Sequence, residues 1–117
     1  MLIRSKEKMF EMRTNMKGGE GSIPNEMFLP TKDLPPHNRI FGEMTLRPGC
    51  SIGKHTHVAE AEIYYILEGT GVLDDNGIER EVTVGDCGIC YAGEAHAIYN
   101  RSDSILRILA CIITENA

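Results

Sequence analysis

The sequence has no apolar run long enough to cross a bilayer. It also has no dense cluster of Lys and Arg of the kind that suits nucleic acid or an anionic membrane. Twelve basic residues stand against seventeen acidic ones, a formal net charge of −5. The stretch MLIRSKEKMF lacks the apolar core of a secretory signal, so a cytoplasmic location is expected. Cysteine is sparse, with four residues: Cys50, Cys87, Cys90 and Cys111. Cys87 and Cys90 form a C-x-x-C, but no second pair exists to complete a zinc site. The segment around them reads as a strand, where positions three apart face opposite sides and the two thiols diverge. All four cysteines are expected to be reduced and mostly buried. Lys17-Gly-Gly-Glu-Gly-Ser22 lacks the helix and the Gly-Lys-Ser/Thr ending of a phosphate-binding loop, and reads as a flexible turn. What remains is 117 residues, 42% hydrophobic and 25% charged. That composition suits one soluble globular domain with a real core.

Against this background one stretch stands out, Gly49 to Gly69, GCSIGKHTHVAEAEIYYILEG. Its apolar run, Ile63 to Leu67, is rich in β-branched and aromatic residues and reads as a strand. Alternate side chains of a strand face the same way, so His55 and His57 can point into one space. With Glu62 they offer two imidazoles and a carboxylate, and His96 is a fourth candidate. Such a set suits Mn, Fe, Co, Ni, Cu or Zn, one divalent ion of unspecified identity. Glu60, two residues before Glu62 and on the same face, is a substitute ligand. By the same alternation Glu62, Tyr64 and Ile66 share a face, opposite Ile63, Tyr65 and Leu67. Tyr64 is therefore the catalytic candidate, its phenol able to donate to a ligand carboxylate or a bound water; the alternative is a ring that simply packs.

The frame Gly49, His55, His57, Glu62, Gly69 resembles the first signature motif of the cupin family, with all five defining positions filled. Gly85 to Asn100, GDCGICYAGEAHAIYN, resembles the second, through Gly85, Gly93, His96 and Asn100; Tyr91 stands where that pattern has proline. The resemblance implies His55, His57, Glu62 and His96 as the metal ligands. It also implies a homodimer in which amino-terminal strands extend a partner's sheet.

The rest of the chain supports an all-β reading. Ser5 opens a helical turn through Phe10. Ile23 to Leu29 reads as a strand held to an edge position by Pro24. Pro30 to His37, with three prolines, is a loop. Arg39 to Leu46 and Glu79 to Val84 are strands, and Asn76-Gly77 between apolar flanks signals a hairpin. Ile105 to Thr114, apolar on both faces, requires cover on both. Eight to ten short strands result, a sandwich or barrel pattern. The cupin resemblance sharpens this to a double-stranded β-helix, or jelly-roll barrel, with an extra amino-terminal segment. The expected division is residues 1–40 as an extension making the dimer contact and residues 41–114 as the β-barrel core.

Two function classes follow from the resemblance. One is a metal-dependent enzyme on a small oxygen-rich metabolite, of dioxygenase, decarboxylase, isomerase or lyase type. The other is a non-catalytic module that binds or senses a carboxylate or sugar. A purely structural metal is opposed by the open coordination position, since structural zinc sites are closed. Glu43 and Arg107 bear on the choice: pointing inward they favour a polar substrate, pointing outward they leave an apolar tube around the metal. Neither nucleic acid nor membrane is expected as a partner.

Overall fold

Strands carry the chain and tight turns join them, as the density of Gly, Asn and Pro between short apolar runs requires. The computed structural model describes residues 1–116. In order the strands are β1 (Met9–Thr14), β2 (Ser22–Met27), β3 (Asn38–Leu46), β4 (Ser51–Thr56), β5 (Glu60–Glu68), β6 (Thr70–Asp75), β7 (Ile78–Thr83), β8 (Cys87–Cys90), β9 (Ala95–Tyr99) and β10 (Leu106–Thr114). Helix among the described residues is limited to single 3-10 turns at Ser5–Glu7, Met16–Gly18 and Thr31–Asp33.

Hydrogen bonding sorts the strands into two antiparallel sheets. One has six strands in the order β1-β2-β3-β10-β5-β8, the other four in the order β4-β9-β6-β7. The closed jelly-roll barrel expected from the sequence is therefore not formed. The sheets face each other as separate layers, each with free edges. The chain passes between them at tight corners, after β3 at Gly49, after β5 at Gly69 and after β7 at Gly85, all three with positive φ. A backbone turning that sharply carries no ladder across the corner, so the sheets are joined by packing and by scattered hydrogen bonds rather than by a continuous ladder.

Between the layers lies the core. Met44, Leu46, Tyr64, Ile66, Leu106, Ile108 and Ala110 from the large sheet meet Ile52 and Ile98 from the small one. In β10 the inward residues Leu106, Ile108, Ala110 and Ile112 are buried, while Leu109, Cys111 and Ile113 lie on the outer face. That is why the strand is apolar on both sides, yet Ile113 remains 45% exposed. Tyr65 on β5 and Ile89 on β8 continue this outer apolar face, at 42% and 43% exposed.

The Asn-Gly hairpin is present: Asn76 and Gly77 join β6 to β7 with φ of 53° and 92°. Other expectations need correction. The helical turn ends at Glu7, and Met9 and Phe10 open β1 instead. There the ladder to β2 decides the conformation, pairing Met9 with Met27 and Phe10 with Glu26. Strand β2 is internal, not an edge. Its ladder to β3 covers only Asn25–Met27, so Pro24, which lacks an N–H, sits beyond that ladder. Cys50 and Cys90 are buried, but Cys87 is exposed because it faces outward on β8. Cys87 and Cys90 do diverge, as alternation requires. Among the described residues no helix is long and apolar enough to cross a membrane.

Candidate metal centre

The site begins with an irregularity in β4. Ser51 pairs with Tyr99 and Ile52 with Ile98, then pairing resumes with His55 opposite His96. Gly53 and Lys54 together stand against Ala97 alone. A bulge of this kind shifts the alternation by one residue. Ile52 points into the core and, three residues on, His55 points inward as well. The bulge is braced from outside by the Lys17-Gly-Gly turn, which is packed rather than loose. A Cβ on Gly53 would lie 2.2 Å from the Lys17 carbonyl oxygen, and one on Gly19 would lie 2.2 Å from that of Ser51. Only glycine permits the two backbones to cross this closely.

His57 follows β4 and is tied at both backbone groups. Its N–H donates to the Glu94 carbonyl at 3.1 Å, and its own carbonyl accepts from Gly93 N–H at 2.7 Å. Ala59, in the left-handed region at φ 58°, then turns the chain into β5. Across the core Glu62 comes from the large sheet, so three imidazoles of one layer meet a carboxylate of the other.

The four side chains converge, with one donor atom from each lying within 4.8 Å of the others. His57 Nε2 and His96 Nε2 each approach Glu62 Oε1 at 3.0 Å, and His55 Nε2 approaches it at 3.6 Å. His96 Nε2 is 3.1 Å from both His57 Nε2 and His55 Nε2. The outer ring nitrogens explain the direction of the inner ones. His55 Nδ1 donates to the Gly53 carbonyl at 2.7 Å, and His57 Nδ1 donates to Glu60 Oε2 at 2.8 Å. In the neutral rings this leaves both Nε2 atoms as lone pairs aimed at the same point as the Glu62 carboxylate. Converging lone pairs repel unless a cation lies among them, and a three-imidazole, one-carboxylate set is one that divalent transition metals accept. The residues therefore fit a divalent metal.

Without metal, protons take over part of this role. Burial opposes ionisation of Glu62 and is the largest single effect on it. Contacts from His55, His57 and His96 together outweigh it and hold the carboxyl well below the usual range. Glu62 in turn raises the pKa of His57, against the opposing effect of burial.

His55, His57 and Glu62 of the cluster form the floor of a cavity of about 160 Å³. Its walls include Ile40, Met44, Ile52, Tyr64 and Ile112, and Arg13, Met16, Lys17 and Arg39 also line it. Tyr64 is 2% exposed and stacks on His96, with ring centroids 4.7 Å apart and planes 12° from parallel. Burial first, and then the Glu62 charge, push its phenol well above an ordinary tyrosine pKa, so it keeps its proton. Cys90, also facing inward, is pushed up to about 11 by burial and then by the Glu94 charge, which leaves it an inert thiol.

Sequence reasoning missed part of the lining. Glu43 and Arg107 lie on the outer face of the large sheet, paired with each other, yet the cavity is not the apolar tube that this orientation foretold. Its polar groups come from Arg13 and Lys17 of the amino-terminal segment and from Arg39. Alternation places Arg13 on the inner side of β1, but nothing local shows that β1 reaches the cavity. Glu60, weighed as a substitute ligand, lies at the far side of the His57 ring, outside the converging set. Asn100 is structural. Its amide donates to the Leu46 and Ser104 carbonyls at 2.8 and 2.7 Å, and its oxygen accepts from Ser102.

Residues 42–112, more than half of the chain, match the cupin domain model. An oxalate-binding protein of Thermotoga maritima is 41% identical over 97% of this chain and 93% of its own length. A crystal structure of a predicted oxalate decarboxylase from Thermotoga maritima aligns with a TM-score of 0.92 at 40% identity, covering 97% of this chain and 99% of that one. A polyketide cyclase from Streptomyces resistomycificus shares the fold, with a TM-score of 0.78 at 21% identity over 99% of this chain and 80% of its own. Motif spacing, the convergence of the four side chains and these likenesses agree, and the chain belongs to the cupin family.

Proposed function

We propose that this cupin binds a small dicarboxylate of the oxalate class at a divalent metal held by His55, His57, Glu62 and His96. The observation that carries the reading is the cavity itself: small, floored by the converging donors and lined on one side by Arg13 and Lys17. The metal supplies a Lewis-acidic centre for an oxygen-donor chelate. The apolar walls at Ile40, Met44, Ile52 and Ile112 exclude water and limit ligand size. Positive charge at Arg13 and Lys17 draws an anion inward. Tyr64 lines the cavity and keeps its proton, which in this reading makes it a hydrogen-bond donor toward the bound carboxylate. The likeness to an oxalate-binding protein supports the ligand class.

Binding is favoured over turnover by the state of the carboxyl groups. Decarboxylation of oxalate replaces a C–C bond by a C–H bond, so a proton must reach carbon. Glu62 is turned to the histidines. Glu60 has one oxygen on Arg39 Nε and the other on Arg39 and His57. A phenol as reluctant to ionise as Tyr64 is a poor acid. The test is calorimetry of oxalate against protein loaded with Mn²⁺ and against protein treated with chelator, together with a formate assay. Binding that requires Mn²⁺ and is lost in His57→Ala, with no formate released, is expected. Undiminished binding after chelation overturns the metal site, and steady formate release overturns the receptor reading in favour of an enzyme.

The outer apolar face of the large sheet supports a second proposal, that two copies of the chain associate there. A twofold interface uses one patch against itself, and the apolar side chains of this one run from Phe41 through Leu109 and Ile113 to Tyr65 and Ile89, beside the Glu43–Arg107 ion pair.

A further inference from the structure

Glu60 belongs neither to the converging ligand set nor to the solvated surface. Its side chain is 16% exposed and both oxygens are engaged. Oε1 accepts from Arg39 Nε at 3.0 Å, and Oε2 accepts from Arg39 Nη2 at 2.9 Å. Oε2 also lies 2.8 Å from His57 Nδ1. Forked pairing of this kind is the strongest that arginine and a carboxylate make, and it fixes both groups in one plane. Arg39 arrives through a second bulge. Ile40 pairs with Ile112 and Asn38 with Ile113, leaving Arg39 as the extra residue on β3. An unpaired residue at a bulge is released from strict alternation, so Arg39 and Ile40, although consecutive, both line the cavity.

The pair joins strands that are not neighbours. β10 runs between β3 and β5, and one row across the sheet reads Ile40, Ile112, Glu62. Glu60 stands opposite Thr114, one step further along the same face. Arg39 and Glu60 therefore meet across the inner side of β10, bridging a backbone separation of roughly 10 Å, two strand spacings. They form a bar over the sheet, beside the row that carries Glu62. Both residues line the cavity, yet the Arg39 side chain is 45% exposed, so the bar stands between cavity and solvent at this end. We propose that Arg39 and Glu60 together are a specificity-determining wall, which confines the ligand to the shortest dicarboxylates. A longer diacid could extend past this end only by breaking two charge-assisted hydrogen bonds, where a lone flexible side chain would simply swing aside. The inference deepens the dicarboxylate reading above and rests on it. It also assigns Arg39 to the wall, and leaves the capture of anions to Arg13 and Lys17.

The experiment is calorimetry of oxalate, malonate and succinate against Mn²⁺-loaded wild type, Arg39→Ala and Arg39→Lys. In mildly alkaline buffer all three ligands are dianions, so the ratio of their affinities reports length and not charge. A general folding defect would weaken all three alike and leave the ratio unmoved. Wild type is expected to bind oxalate and to discriminate against succinate. In Arg39→Ala the preference for oxalate over succinate should fall by about 10- to 200-fold, the scale on which a pocket discriminates a methylene. Arg39→Lys keeps the charge but cannot fork, and should shift the ratio the same way by less. It also carries the test if the alanine variant does not fold. An unchanged ratio in folded variant protein overturns the proposal, as does a wild type that binds succinate as tightly as oxalate. A wild type that binds none of the three removes the dicarboxylate reading and the wall with it, an outcome visible before any variant is made.

Discussion

The two sheets are built from similar strands but do different work. The large sheet carries apolar side chains on both faces, with the Glu43–Arg107 ion pair among those of the outer one, and Glu62 is the one ligand it contributes. The small sheet contributes three histidines, yet its outer strand β7 is exposed along almost its whole length, with Glu79, Arg80 and Glu81 in sequence. The large sheet keeps a regular ladder from Leu106 through Ile112 against β3. The small one breaks its ladder beside the histidines. The difference teaches that a regular stretch of ladder supplies cohesion, while an interrupted one can turn several long side chains to a common point. Regularity and convergence compete, because strict alternation sends every second residue away.

Breaking the cohesive role should have the largest effect. Ile108, fully buried between the sheets, leaves a cavity when shortened, and Ile108→Ala should cost about 2–5 kcal/mol in urea unfolding. Ile113→Glu, on the outer face of the same strand, should cost far less and instead shift sedimentation from dimer to monomer. Equal destabilisation by both would erase the distinction between the faces, and an unchanged sedimentation would remove the proposed association.

The bulge should respond next. In Gly53→Ala the new methyl meets the Lys17 carbonyl, so the turn at Met16–Gly18 must move or β4 must straighten. We expect a loss of about 1–3 kcal/mol, in the range of overpacked sites, together with weakened Zn²⁺ binding. Lost stability with metal affinity intact would show that the bulge does not aim His55.

The smallest effect should come from the ion pair on the outer face of the large sheet. Burial raises the pKa of Glu43 and is its largest single influence, but hydrogen bonds from Lys8 and Arg107 outweigh it and the carboxyl lies below its ordinary value of 4.5. A depressed folded value stabilises the native state above the unfolded pKa and ceases to do so as pH falls through the folded one. Acid titration of stability should therefore show Glu43→Gln less stable than wild type near neutrality. The gap should close progressively below about pH 4.5. A gap independent of pH would assign the effect of Glu43 to packing.

Much of the centre could be read from the chain because its signals are local. His55, His57 and Glu62 lie within eight residues, and Asn76-Gly77 dictates its own turn. What could not be read is set by partner strands. Counting from buried Ile52, alternation alone would put His55 on the opposite face, and only pairing with β9 reveals the extra residue that brings it back. The bulge that frees Arg39 depends in the same way on β10, more than sixty residues away. Lys17 looked like part of a loose glycine turn because its backbone contact with Gly53 is invisible in sequence. The closed barrel failed for a related reason, since motif spacing places turns and candidate ligands but says neither how the strands are ordered nor whether a last ladder closes.

The donors come three from one layer and one from the other, and no hydrogen-bonded ladder joins those layers. An ion gripped by all four is thus a cross-link between two otherwise separable halves of the molecule, and it acts on the native state alone. Mass action then makes the survival of this protein under heat or protease a function of how much free metal surrounds it. If the site holds metal as proposed, a cell that starves it would lose the protein itself, so abundance would report metal supply.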